Sequence, residues 1–292
     1  MKTTLAAGAA VFAPVSLGHA AGSKLSWKHF PAGSNGFFRA PVLVSGPSEA
    51  LLIDGGFAYP DGRGLADAIK ATGKRLTAIY ISQSDPDYYF SLKPVLEAFP
   101  GTKVLAASET LAAIKGNVEK KLAVWGPQLK ENGPQTLADI VLPEAFDGPS
   151  LTLDGETVEI VAAEAGLANR RYLWVPSLQA VFGGVMIFSG VHVWTADTQI
   201  KEQRAAWVAT LDKIAARKPS VVVPGHLTPE AATDLSGLAH TKAYLLAFEE
   251  ELVKATDAAA LKAAMEARFP GLGMGVALDI GSKVAKGEMK WG

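Results

Sequence analysis

Apolar positions along the chain switch between two spacings. Phe37 to Val44 and Ala50 to Ile53 are short apolar runs around Ser45-Gly46-Pro47-Ser48, the pattern of a β-hairpin, and Asp54-Gly55-Gly56 ends the second run. From Gly64 to Thr72, Leu65, Ala68 and Ile69 recur at helical spacing, and the β-branched run Leu76 to Ile81 reads as a buried strand. Ser91 to Phe99 has helical character, Lys103 to Ala106 is a strand, and Glu109 to Leu122 is a helix that gives way to a Pro- and Gly-spotted connector through Pro134.

Strands dominate the middle third. Ser150 to Leu153 and Thr157 to Glu164 flank Asp154-Gly155, a strong hairpin turn. Tyr172 to Val175 and Ala180 to Phe182 form the next pair, joined at Pro176-Ser177. Thr198 to Ala216 repeats Ala205, Val208, Leu211 and Ile214 at helical spacing, and Ser220 to Val223 is a final apolar strand that stops at Pro224-Gly225-His226. Ala231 to Phe269 is helical with breaks, and Gly271 to Trp291 reads as a Gly-spotted tail. A helix-covered sheet in each half, with no shift in composition between them, predicts one layered domain over residues 21–292, with pseudo-symmetric halves and a helical C-terminal region.

Composition narrows the function classes. The 292 residues are 49% hydrophobic and 20% charged, enough apolar surface for a large core. Lys and Arg number 28 against 29 Asp and Glu, a net charge of −1 without long runs of either sign, so nucleic-acid binding has no electrostatic support. The absence of cysteine excludes disulfides and thiolate metal ligands. Residues 1–20 have the pattern of an export signal: Lys2 is the only charge, the stretch Leu5 to Leu17 is small and apolar, and Gly18-His19-Ala20 offers a cut after Ala20. The expected location is outside the cytoplasm, in the periplasm of a Gram-negative source. The apolar run is too short for a membrane span, and no later segment resembles one.

Several segments, in order, resemble the metallo-β-lactamase superfamily. They are Leu51-Leu52-Ile53-Asp54-Gly55-Gly56, the stretch Ile79 to Phe90, Tyr172-Leu173-Trp174-Val175-Pro176, Val181-Phe182-Gly183-Gly184, Gly190-Val191-His192-Val193-Trp194 and Val223-Pro224-Gly225-His226. The resemblance implies an α/β fold, the four-layer αββα sandwich. It also places the family's His-x-His-x-Asp-His zinc motif on Gln83, Asp85, Asp87 and Tyr88, where Asp87 alone matches. A further family histidine falls near Leu167 beside Gly166, the metal-bridging carboxylate near Val185, and the last histidine on His226, which is retained.

The replacements argue against a dinuclear zinc centre. Zinc prefers imidazole and thiolate donors, and a catalytic site needs about three protein ligands. Gln83 offers a neutral amide oxygen, Tyr88 would have to lose a proton held with a pKa of about 10, and Leu167 and Val185 have no lone pair to offer. What remains is Asp85, Asp87 and His226, an oxygen-rich set suited to no metal or to one weakly bound Mn²⁺, Mg²⁺ or Ca²⁺ ion.

Two functions follow from this. One is a fold that has lost metal hydrolysis and binds a small molecule or another protein through its persisting pocket. The other is a hydrolase with a rebuilt site, in which Asp85, Asp87 and His226 hold a single ion or Asp87 and His226 act as a metal-free acid–base pair. Gln83, Asp85, Tyr88, Tyr89, His192 and Arg170 are the expected pocket residues. Several have plainer readings: Ser84-Asp85-Pro86-Asp87 is also a good turn and capping segment, Asp54 resembles a carboxylate that the family keeps behind its metal ligands but reads more simply as the start of an Asp-Gly turn, and His192, His29 and His240 suit packed positions. Arg170 and Arg171 could instead enter the space left by the metals and meet an anionic ligand.

Overall fold

The computed structural model describes residues 18–19, 23–167 and 169–291. Most of the expected export signal therefore lies outside the described residues. One seven-stranded sheet runs in spatial order through β1 (Gly18–His19), β2 (Ser26–His29), β3 (Val42–Ser45), β4 (Glu49–Ile53), β5 (Arg75–Tyr80), β6 (Lys103–Ala106) and β7 (Glu144–Ala145). Pairing is antiparallel from β1 to β4 and parallel from β4 to β7. The parallel crossovers carry α1 (Tyr59–Thr72), α2 (Leu92–Ala98) and α3 (Ser108–Leu129).

A five-stranded sheet follows, built from β8 (Ser150–Leu153), β9 (Glu156–Ala162), β10 (Arg171–Val175), β11 (Ala180–Phe182) and β13 (Val221–Val222), which lies parallel beside β11. A small parallel pair joins β12 (Phe188–Ser189) to β14 (His226–Leu227). Helices α4 (Lys201–Ala216), α5 (Ser236–Lys254), α6 (Ala258–Arg268) and α7 (Gly275–Ala285) belong to the second half.

The strands are apolar on both faces because each sheet is covered on both faces. Along β4, Leu51 and Ile53 enter the core shared with Leu173, Val175 and Phe182 of the other sheet, while Ala50 and Leu52 face the cluster that holds Leu65 and Ile69 of α1. On the far side, Trp207, Leu211 and Ile214 of α4 lie in one cluster with Trp174 and Val181. The result is the αββα order of layers. The hairpin turns are as expected, with Ser45 opposite Ala50 and Leu153 opposite Glu156.

Three expectations need correction. The strand expected from Phe37 begins only at Val42, because Phe37 and Phe38 adopt left-handed φ of 54° and 56° and turn the chain toward the second half. Helix α3 runs seven residues past Leu122 and through Pro127, since its buried positions continue at Gly126 and Leu129. The Gly-spotted tail contains α7, whose buried face of Ala277, Leu278, Gly281 and Ser282 is made of mostly small residues that carry little hydrophobic signal.

Candidate functional site

The turn at Phe37-Phe38 brings the first half against the last strand. Leu227 N–H donates to the Phe38 carbonyl at 2.9 Å, Ala40 N–H to the Gly225 carbonyl at 3.0 Å, and Arg39 bridges antiparallel to His226. Arg39 is thereby driven inward and is wholly buried. Its Nη1 donates to the Gly225 carbonyl at 2.6 Å, its Nη2 to Asp54 Oδ2 at 3.3 Å, and its Cζ lies 3.6 Å from the centroid of the Tyr88 ring.

Asp54 ends β4 in the left-handed region, φ 61°, which aims its carboxylate into the same space. Ser82 N–H donates to its Oδ1 at 2.7 Å, and the Ser82 hydroxyl, which accepts from Gly184 N–H at 2.8 Å, also turns toward this carboxylate. Burial pushes the Asp54 pKa up, while Arg39 and the Ser82 bonds oppose that push.

Asp87 and Tyr88 share the 3₁₀ turn Pro86–Tyr88. Asp87 Oδ2 is 3.8 Å from Arg39 Nε, an attractive separation too long for a hydrogen bond, and 3.7 Å from His226 Nε2. Burial raises the Asp87 pKa and the guanidinium holds it back. His226 Nδ1 is 2.7 Å from the Phe37 carbonyl, which can only accept, so Nδ1 carries the proton and the Nε2 lone pair faces the Tyr88 hydroxyl at 3.4 Å. The imidazole stacks on Phe188 at 4.9 Å, and burial with the nearby Arg39 charge lowers its pKa to about 3. It is neutral at physiological pH.

One cavity opens on this cluster and a second adjoins it. A narrow chamber of about 50 Å³ has aromatic walls that include Phe37, Phe57, Trp125, Trp194 and Trp291, with Asp85, Asp87, Tyr88 and His226 also lining it. A cleft of about 530 Å³ shares Asp85, Lys121 and Trp291 with the chamber and adds Gln83, Asn169 and Arg170.

The expected site residues divide accordingly. Asp87, Tyr88 and His226 come together with Arg39, whereas Asp85 turns to Lys121 at 3.6 Å and accepts from Gln83 Nε2 at 3.2 Å. Arg170 lies in the cleft, stacked over Trp207 at 4.6 Å, but Arg171 does not enter the site and pairs with Glu109 at 2.9 Å. Tyr89 is buried against Phe90, and His192 Nδ1 meets the Tyr244 hydroxyl at 3.0 Å; neither lines the chamber or the cleft. His29 is buried beside Trp27, and His240 Nε2 meets the Val191 carbonyl at 3.0 Å.

Reading Asp54 as a simple turn residue is wrong: it is a fully buried partner of Arg39. Sequence reasoning does not reach Arg39, although a single charge inside the apolar run from Phe37 to Val44 is a usable signal. It does not reach Trp125 either, because the expected helix stops at Leu122, short of that residue.

The donor set does not fit a metal ion. Among the described residues no group of three or more His, Cys, Asp or Glu side chains is placed to hold one, so Asp85, Asp87 and His226 do not form a common ligand set. A guanidinium faces both Asp54 and Asp87, supplying positive charge where a cation would otherwise meet those carboxylates. Leu167 and Val185, buried and apolar, line the cleft and the chamber respectively.

Comparison with known proteins places this geometry in context. The profile of the metallo-β-lactamase superfamily matches residues 35–226. Among solved structures, a β-lactamase domain protein from Burkholderia ambifaria is similar with a TM-score of 0.62 and 12% identity over 92% of this chain and 87% of that one. A metallo-β-lactamase family protein from Thermus thermophilus has a TM-score of 0.59 and 14% identity over 90% and 91% of the two chains. A metallo-β-lactamase from Pontibacter korlensis has 0.53 and 19% over 79% and 99%. No curated protein sequence matches the chain.

Proposed function

The chain belongs to the metallo-β-lactamase superfamily, and from its site we infer that it is a metal-independent binder of a small organic molecule, not a zinc hydrolase. The observation that carries this reading is the buried guanidinium of Arg39, 3.3 Å from Asp54 and 3.8 Å from Asp87. It gives both carboxylates a fixed counter-charge from within the chain, so they do not depend on a metal for compensation. The aromatic chamber beside it adjoins a cleft of about 530 Å³, which is within the size range of small-molecule sites. Export to the periplasm is part of the same proposal and rests on the pattern of residues 1–20.

The experiment is elemental analysis of protein purified without chelator or affinity metal, with thermal-shift titrations of Zn²⁺, Mn²⁺, Mg²⁺ and Ca²⁺. The expected result is no stoichiometric metal and no shift. Near-stoichiometric metal that is lost on Asp87→Ala would overturn the reading.

One contact favours a second reading, hydrolysis without metal. His226 Nε2, unprotonated and 3.7 Å from Asp87 Oδ2, lines the chamber and could take a proton from a water bound there. This predicts a hydrolytic activity that falls in both Asp87→Asn and His226→Asn; activity that survives both substitutions removes it.

A further inference from the structure

The charges lining the wider cleft are unevenly partnered. Asp85 has Lys121 at 3.6 Å and the Gln83 amide at 3.2 Å. Asp197 accepts two indole N–H groups, from Trp194 at 2.9 Å and Trp291 at 2.7 Å, one on each oxygen. Arg170 has no such counterpart. It is only 3% exposed, yet both Nη1 and Nη2 lack a hydrogen-bond partner. Among the described residues no carboxylate forms an ion pair with it, although Asp85 and Asp197 are near enough to favour its charge. The carboxamide oxygens of Asn117 and Asn169, on the same cleft, are buried and unpartnered too, and turning either amide over would present N–H donors there instead.

A buried guanidinium with two idle nitrogens is costly to the folded state. Its contact with the Trp207 ring favours the charge but satisfies no N–H. What satisfies a planar fork of donors best is an oxyanion that accepts two parallel hydrogen bonds. Trp291, Leu167 and Val124 line the same cleft of about 530 Å³ as Arg170, so a group held at Arg170 is within one molecule's reach of an apolar wall.

Resting on the small-molecule reading above, we propose that Arg170 is the anchor of an anion subsite, binding the carboxylate or phosphate monoester of a ligand whose aromatic part lies in the same cleft, beside Trp291. The two indole bonds that engage Asp197 and the Lys121 contact of Asp85 keep both acids occupied, and among the described residues Arg170 is the buried cation of a cleft whose other unpaired cations, Lys120 and Lys290, are exposed to solvent. Burial lowers the pKa of the guanidinium, and an anion in contact relieves that penalty.

The test is calorimetric titration of the full chain with 1-naphthoate, phenyl phosphate, inorganic phosphate and the neutral 1-naphthalenemethanol, in wild type, Arg170→Lys and Arg170→Met, with metal content measured on each preparation. At least one aromatic anion is expected to bind while the neutral alcohol does not. The carboxylate and phosphate arms then distinguish the two ligand sources. Arg170→Lys should weaken binding roughly tenfold and Arg170→Met roughly 10- to 100-fold, the range of charge-assisted hydrogen bonds.

Without ligand, Arg170→Met should melt no lower than wild type, because it removes an unpartnered buried charge; a residue with a purely structural role would lower the melting temperature. Equal binding of the neutral alcohol, affinity indifferent to Arg170, or no aromatic anion bound at millimolar concentration would overturn the proposal. Stoichiometric metal would overturn the metal-independent reading instead, so the two failures are distinguishable.

Discussion

Arg39 Nη2 and Asp54 Oδ2 stand 3.3 Å apart, and neither side chain has any solvent exposure. Removing one partner of a buried pair leaves an uncompensated charge and typically costs about 3–5 kcal/mol. Arg39→Met is therefore expected to lower unfolding free energy by about that amount in urea, and Arg39→Met combined with Asp54→Asn to recover a large part of it. If Arg39→Met unfolds like wild type, the guanidinium is not the counter-charge of Asp54.

Acid should act through His226. Its pKa lies at about 3 in the folded protein against 6.5 unperturbed, so between those values only the unfolded chain takes up the proton. Its contribution to stability is fully present above pH 6.5 and is lost as pH falls toward 3, roughly 2 kcal/mol by pH 5. The carboxyls of Asp85 and Asp87, whose pKa values are raised, act in the opposite sense: the folded state takes up their protons first, so acid favours it there. Comparison with His226→Asn, which keeps a donor for the Phe37 carbonyl, isolates the histidine. Unfolding free energy should fall more steeply from pH 6.5 to 4.5 in wild type than in the variant; parallel profiles would refute a neutral His226.

Close packing against the Gly183-Gly184 turn and Arg39 leaves no room at Gly225. A Cβ there would stand 2.1 Å from the Gly184 carbonyl oxygen and 3.1 Å from Arg39 Nη1. Gly225→Ala should cost about 3 kcal/mol through overpacking. Gly275→Ala, which meets nothing within 4 Å, should be neutral or slightly stabilising in the same thermal melt.

Asp197 holds Trp194 and Trp291 in edge contact, with centroids 5.3 Å apart at 64°. An asparagine retains only one acceptor oxygen, so Asp197→Asn should free one indole. Near-ultraviolet circular dichroism should lose tryptophan signal while stability changes by under about 1 kcal/mol; an unchanged spectrum would show that the carboxylate does not order these rings.

The fold is legible in local patterns because the strands and turns that define it are local. Asp154-Gly155 signals its hairpin whatever surrounds it, and Leu65 and Ile69 mark a helix face by spacing alone. Legibility fails where small residues carry the packing, as at Ala277 and Gly281 of α7, and where tertiary contacts override a stop signal, as at Gly126-Pro127 in α3. At the site, Asp87 and His226 are marked by the motif they retain, but their actual partner is not.

The order of elements, the layered class and the lack of cysteine were all determined by the sequence, since each depends on residue type and short-range spacing. Which charges meet was decided only by the tertiary structure. Arg39 and the Gly225 carbonyl are 186 positions apart and meet because the Phe37-Phe38 turn folds one half against the other. Among the described residues Arg170 is unpaired partly for the same reason: its potential partners, Asp85 and Asp197, are engaged by Lys121 and Trp291 from distant parts of the chain, and by their near neighbours Gln83 and Trp194. Electrostatic partnership depends on distance in space, and residue spacing along the chain does not encode it.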